Sequence, residues 1–219
     1  MPRSPASPAL RLPGPYAAVV ADMDGLLVHT ERQWLEAKTI LFERHGVELT
    51  EGDRAAVFGA ADGDTAAYFA ARFGLSAQQM PALRDEYLAI ITDLFERGVE
   101  LTAGAVDLID RVAGVVPLAL ASNTRRSLVD VVLSSTPFED RFDVIVTGDE
   151  AAPKPAPDLY LLACARLGVD PSTAVALEDS PTGVAAAKAA GLTCIGVPSD
   201  PRTPLPQADI VVGSLVGLL

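Results

Sequence analysis

Long apolar runs are missing from this chain: none of its 219 residues belong to a stretch approaching the roughly 20 uninterrupted apolar residues of a membrane helix. Positive charge is scarce too, with 17 Lys and Arg against 29 Asp and Glu, and no basic block relieves the net charge of −12. Nucleic acid and anionic membranes are therefore excluded as main partners, and an anionic substrate needs locally placed cations, because the overall field repels it. Only Cys164 and Cys194 represent cysteine, each in an apolar stretch with no C-x-x-C and no His at metal-ligand spacing. That pattern excludes a zinc site or disulfide framework and reads as two reduced core residues of a cytoplasmic protein. The Pro-rich start MPRSPASPALRLPGP lacks the apolar centre of a signal peptide, so residues 1–15 read as a disordered lead-in. What remains is ordinary for a globular protein and long enough for one large or two small domains.

Against this background one motif stands out. In AVVADMDGLLV, an apolar β-branched run gives way to Asp22, Asp24 and Gly25. Residues two apart on an extended backbone share a side, so two carboxylates emerge together at a strand's C-terminal end. Like charges that close are costly to ionise unless a cation neutralises them or a proton is shared. A turn in which an Asp caps a local amide is the plainer alternative.

From about residue 101 the pattern alternates helix and strand, as in a parallel α/β sheet. Helices are predicted over Ala105 to Ala113, Arg125 to Leu133, Pro157 to Leu167 and Thr182 to Ala190. Strands fall in VVPLALAS, FDVIVTG, TAVALED, TCIGV and ADIVV. These strands hand over to polar sets, notably Ser122 with Asn123, Asp149 with Lys154, and Glu178 with Asp179, at the sheet edge where open α/β sheets bind ligands. Between the first strand and Leu101, helical spacing over Glu31 to His45, Asp64 to Phe73 and Pro81 to Arg97 is uninterrupted by any strand pattern. The expected architecture is a Rossmann-like parallel-sheet core, residues 16–29 and 100–219, with an inserted all-helical cap, residues 30–99.

These motifs together resemble the haloacid dehalogenase superfamily in its helical-cap branch. DMDGLLV is similar to that family's first motif, ASN at Ala121 to Asn123 to its second, Lys154 in KPAPDLY to its third, and LEDSPTGVAAAKAAG to its fourth. The resemblance runs from about Tyr16 to Val212. It implies a phosphatase in which Asp22 attacks phosphorus and Asp24 serves as general acid and base. It further implies Mg2+ held by Asp22, Glu178, Asp179 and the backbone carbonyl of Asp24. Ser122, Asn123 and Gly25 are the expected phosphate-binding positions, and Lys154 counters the charge of nucleophile and phosphoryl group. Plainer readings make Ser122, Asn123 or Thr124 a helix N-cap, and Ser180 and Pro181 the start of the next helix.

Several positions depart from the family pattern. Ala21 stands where an aromatic is frequent, and His29, where an acid is common, either touches substrate or is a tolerated hinge substitution. Phe58 and Asp62 occupy the places where β-phosphoglucomutases carry an Arg and a Lys for a second phosphate. The sole cap lysine, Lys38, lies inside a predicted helix, which disfavours phosphonatase chemistry. Trp34, Phe42 and Tyr68 read as cap core, and Arg125 and Arg126 as solvated first-turn residues. The expectation is therefore a Mg2+-dependent phosphatase acting on a small phosphorylated metabolite, as a monomer or small homo-oligomer. A sugar-phosphate mutase and a catalytically silent binding protein on the same scaffold are the alternatives.

Overall fold

A computed structural model describes residues 15–57 and 62–219, with backbone alone for residues 62–64. Most of the expected lead-in, Phe58 and the start of the cap loop at Gly59 lie outside the described residues, as does the side chain of Asp62. The described chain opens with β1 (Ala18–Ala21) and the short β2 (Val28–His29). Four helices follow: α1 (Glu31–Arg44), α2 (Glu51–Ala56), α3 (Asp62–Arg72) and α4 (Met80–Glu96). After β3 (Glu100–Leu101) come α5 (Ala105–Val112), β4 (Leu118–Ala121), α6 (Arg126–Ser134) and β5 (Val144–Val146). The chain continues through α7 (Asp158–Leu167), β6 (Ala174–Glu178), α8 (Pro181–Ala189), β7 (Thr193–Gly196) and β8 (Ile210–Val211).

Six strands form one sheet in the order β5-β4-β1-β6-β7-β8, parallel at every pairing. Strands covered on both faces must be apolar throughout, and AVVA, LALA and AVALE are buried at every position. β1 is central, with Ala21 in register with Leu120 on β4 and Leu177 on β6. The C-terminal ends of these three strands therefore lie side by side. Leu159, Ala163 and Cys164 of α7 and Val184 and Ala187 of α8 belong to the same buried cluster as the alternate residues Val20, Ala119 and Ala176. Both cysteines are free and buried, and burial pushes their thiols up to about 11 for Cys164 and about 12 for Cys194.

The chain divides into two units, one reaching His29 and resuming at Glu100, the other Thr30–Val99. The first carries a feature that short apolar patterns do not reveal: β2 and β3 pair antiparallel, Val28 with Leu101 and His29 with Glu100. In the helical unit, α2 and the short turn Ala77–Gln79 add to the three expected helices. Its interior is aromatic, with Phe42 edge-on to Phe69 and Phe73, and Trp34 edge-on to Phe95. Tyr68 is half-buried, and its hydroxyl donates to Asp53 at 2.8 Å. Asp53, 1% exposed, also takes Arg72 and closes a capping box with Thr50 at the start of α2.

Candidate functional site

Asp22 follows β1 and is almost fully buried; its amide donates to Leu177 O on β6. Its Oδ1 accepts from Lys154 Nζ at 2.5 Å, and the same ammonium donates to Glu178 Oε1 at 2.6 Å. Lys154 is buried as well, in the loop between β5 and α7. Asn123, just past β4, braces that loop: Lys154 N donates to Asn123 Oδ1 at 2.7 Å, and Asn123 Nδ2 donates to Lys154 O at 3.3 Å. The Asn123 side chain thus braces the Lys154 backbone through both its oxygen and its nitrogen.

Glu178, the last residue of β6, has no exposed surface. Its Oε1 also accepts from Tyr160 Oη at 2.6 Å, and its Oε2 from Asp179 N and Ser180 Oγ at 3.2 and 3.3 Å. The strand-to-helix turn is present alongside these acids: Ser180 Oγ accepts from Gly183 N at 3.1 Å, and Pro181 opens α8. Gly183 is required here, because a Cβ at that position would overlap the Glu178 carboxylate.

Carboxylate oxygens of Asp22, Glu178 and Asp179 lie within 4.8 Å of one another, and all three residues are buried. Burial raises the Asp22 carboxyl well above its usual range, Lys154 opposes this, and Glu178, Asp179 and Asp24 add to it. Burial also works against the Lys154 ammonium, yet Asp22 and Glu178 outweigh it and hold its pKa above the ordinary value. Three buried carboxylates facing one ammonium leave a charge that a hard divalent cation offsets, so this oxygen set fits Mg2+. The side chain of Asp24 is outside the set.

Asp24 is half-buried and faces β4 instead. Its Oδ2 accepts from Thr124 Oγ1 at 2.8 Å and from Ser122 Oγ at 3.2 Å. Ser122 Oγ in turn accepts from Thr124 N at 3.0 Å. Asp22 thus accepts from Lys154, and Asp24 from Thr124 and Ser122. The helix-cap reading of Ser122 is corrected: Asp149 Oδ1, from the end of β5, accepts from Arg126 N at 3.0 Å and caps α6. Asp149 also takes Thr147 Oγ1 at 2.7 Å, so it belongs to this helix end and not to the lysine.

Gly25 adopts φ +85, and its amide donates to Val28 O at 2.8 Å, so it makes the tight turn after Asp24. His29 is half-buried on β2, with Nε2 3.5 Å from Thr102 Oγ1. Arg126 pairs with Asp130 on the surface of α6. Two contributors escaped the sequence reading. Thr124 has the sequence signature of a cap candidate alone; Tyr160 carries a usable signal, a phenol on the buried face of an apolar helix, which needs a partner.

A family model described as haloacid dehalogenase-like hydrolase matches residues 19–197. The chain is 31% identical over 205 residues to validoxylamine A 7'-phosphate phosphatase of Streptomyces hygroscopicus subsp. limoneus, covering 91% of this chain and 94% of that one. It is 32% identical over 216 residues to hexitol phosphatase B of Escherichia coli, covering 94% and 96%. Among solved structures, CbbY from Rhodobacter sphaeroides in complex with phosphate superposes with a TM-score of 0.81 at 30% identity, covering 93% of this chain and 99% of that one.

Proposed function

The chain belongs to the haloacid dehalogenase-like hydrolase family and is a phosphoric monoester hydrolase, and on that premise we propose that it works through an aspartyl-phosphate on Asp22 with Mg2+. The observation that carries this reading is the Asp22 carboxylate, buried and bonded to Lys154 at 2.5 Å, beside Glu178 and Asp179. Asp22 attacks the phosphorus of a bound ester as the leaving oxygen departs. Asp24 protonates that oxygen, then takes a proton from the water that hydrolyses the acyl phosphate. Ser122 Oγ and main-chain amides at the start of the loop after β4 bind phosphoryl oxygens. Lys154 neutralises charge on Asp22 and the phosphoryl group.

Asp22, Asp179 and Glu178, with the Asp24 carbonyl, would hold Mg2+, which supplies charge neutralisation for the phosphoryl oxygens. The substrate is a small phosphorylated metabolite, a reading supported by relatives named for a hexitol and for validoxylamine A 7'-phosphate. Residues 30–99 serve as the cap, and the protein acts as a monomer or small homo-oligomer in the cytoplasm. Among the described residues, no helix is long and apolar enough to cross a membrane. Asp22→Asn tests the mechanism: it should fold yet lose hydrolysis of p-nitrophenyl phosphate with Mg2+ by on the order of 10⁴-fold. Near-normal turnover in that variant overturns the nucleophile assignment.

A further inference from the structure

Tyr160 is wholly buried on α7, among the residues that pack under the sheet. Its hydroxyl reaches the same oxygen that Lys154 holds: Glu178 Oε1 accepts from Tyr160 Oη and from Lys154 Nζ, each at 2.6 Å. The ammonium also lies 5.0 Å from the centroid of the tyrosine ring. Two strong donors occupy both lone pairs of Oε1, whereas the donors on Oε2, at 3.2 and 3.3 Å, are long and readily outcompeted. The carboxylate has little freedom to turn, because it fills the space that a side chain at Gly183 would take.

We propose that Tyr160 is a positioning residue for metal selectivity: with Lys154 it saturates Oε1, so that Glu178 gives the ion at most one oxygen. This rests on the Mg2+ reading above. Mg2+ demands a compact octahedron and keeps several waters, while Ca2+ takes more ligands and readily accepts both oxygens of one carboxylate. Withholding Oε1 therefore favours the smaller ion without altering the acidic residues themselves.

The test is calorimetric titration of Mg2+ and of Ca2+, without substrate, into the unaltered protein, Tyr160→Phe and Tyr68→Phe. Tyr160→Phe keeps the ring and removes the donor; it should tighten Ca2+ relative to Mg2+ by roughly tenfold, the worth of about one hydrogen bond. Tyr68→Phe removes a phenol from Asp53 in the other unit and should leave the ratio unchanged. An unchanged ratio in folded Tyr160→Phe, with normal Mg2+ binding, overturns this proposal alone. The unaltered protein binding Ca2+ tenfold more tightly than Mg2+ overturns it with no variant at all. Failure of the unaltered protein to bind either ion overturns both this proposal and the Mg2+ reading.

Discussion

Thr124 Oγ1 donates a 2.8 Å hydrogen bond to Asp24 Oδ2, so the carboxylate assigned to proton transfer is held by the loop that follows the neighbouring strand β4. Ser122 adds a longer bond, 3.2 Å, to the same oxygen. Thr124→Val keeps the shape and removes the stronger tether. Turnover with Mg2+ should fall about tenfold, the value of one charge-assisted hydrogen bond, with KM little changed. Steady-state kinetics on p-nitrophenyl phosphate check this, and an unchanged kcat would separate Thr124 from the proton-transfer step.

Lys154→Met removes the ammonium and leaves Asp22 and Glu178 buried together without it. Breaking such a pair from one side typically costs about 3–5 kcal/mol. A divalent cation replaces part of the lost charge, so the melting temperature should drop more in EDTA than in Mg2+. Thermal melts in both conditions test this; equal drops would detach the lysine from the metal-binding acids.

Gly183→Ala is expected to fail for a local reason. Alanine is the better helix former by about 1 kcal/mol, but its Cβ would meet the Glu178 carboxylate and push it off Lys154 and Tyr160. The net result should be a loss of about 1–3 kcal/mol together with activity. Gly52→Ala on α2, where the nearest contact is Thr50 Oγ1 at 3.6 Å, should be neutral or stabilising. Denaturant melts of the two variants make the comparison.

Much of this site is legible in the sequence because four of its contributors stand at the ends of apolar strands. Asp22, Ser122 and Asp179 are the first residues past fully buried runs, and Glu178 closes one. Lys154 is marked by the prolines on either side. What stayed hidden depends on pairings between distant segments. The α6 amide of Arg126 is capped by Asp149, 23 residues further along the chain, a pairing that the nearer cap-forming residues Ser122, Asn123 and Thr124 mask in the sequence. The ribbon of β2 and β3 has two residues per strand, too few to show a period. In the helical unit, spacing marked α1, α3 and α4, but six-residue α2 announces itself only through Thr50 and Asp53.

Asp53 supplies a pH dependence in that unit. Hydrogen bonds from Arg72, then Thr50, hold its carboxyl well below the usual carboxylate range. A depressed carboxylate contributes stability that is full above its unfolded pKa and lost as pH falls toward its folded one. The contribution should therefore be intact down to about pH 4 and decline below it. Asp53→Asn should lower the melting temperature at pH 7 by about 5 °C and flatten its acid dependence. Melts from pH 7 to pH 3 on both proteins give the difference.

The antiparallel ribbon has a consequence for how such a chain is assembled over evolutionary time. Because Val28 is in register with Leu101, the chain leaves and re-enters the sheet-bearing unit at adjacent points. The whole span Thr30–Val99 is in effect a loop between two neighbouring backbone positions, and neither end interrupts a strand of the main sheet. Exchange of that span for another of different length requires only that the newcomer start and finish close together. The parallel sheet and its acids can then be inherited unchanged while the inserted part diversifies, so the two stretches of one chain need not share one ancestry.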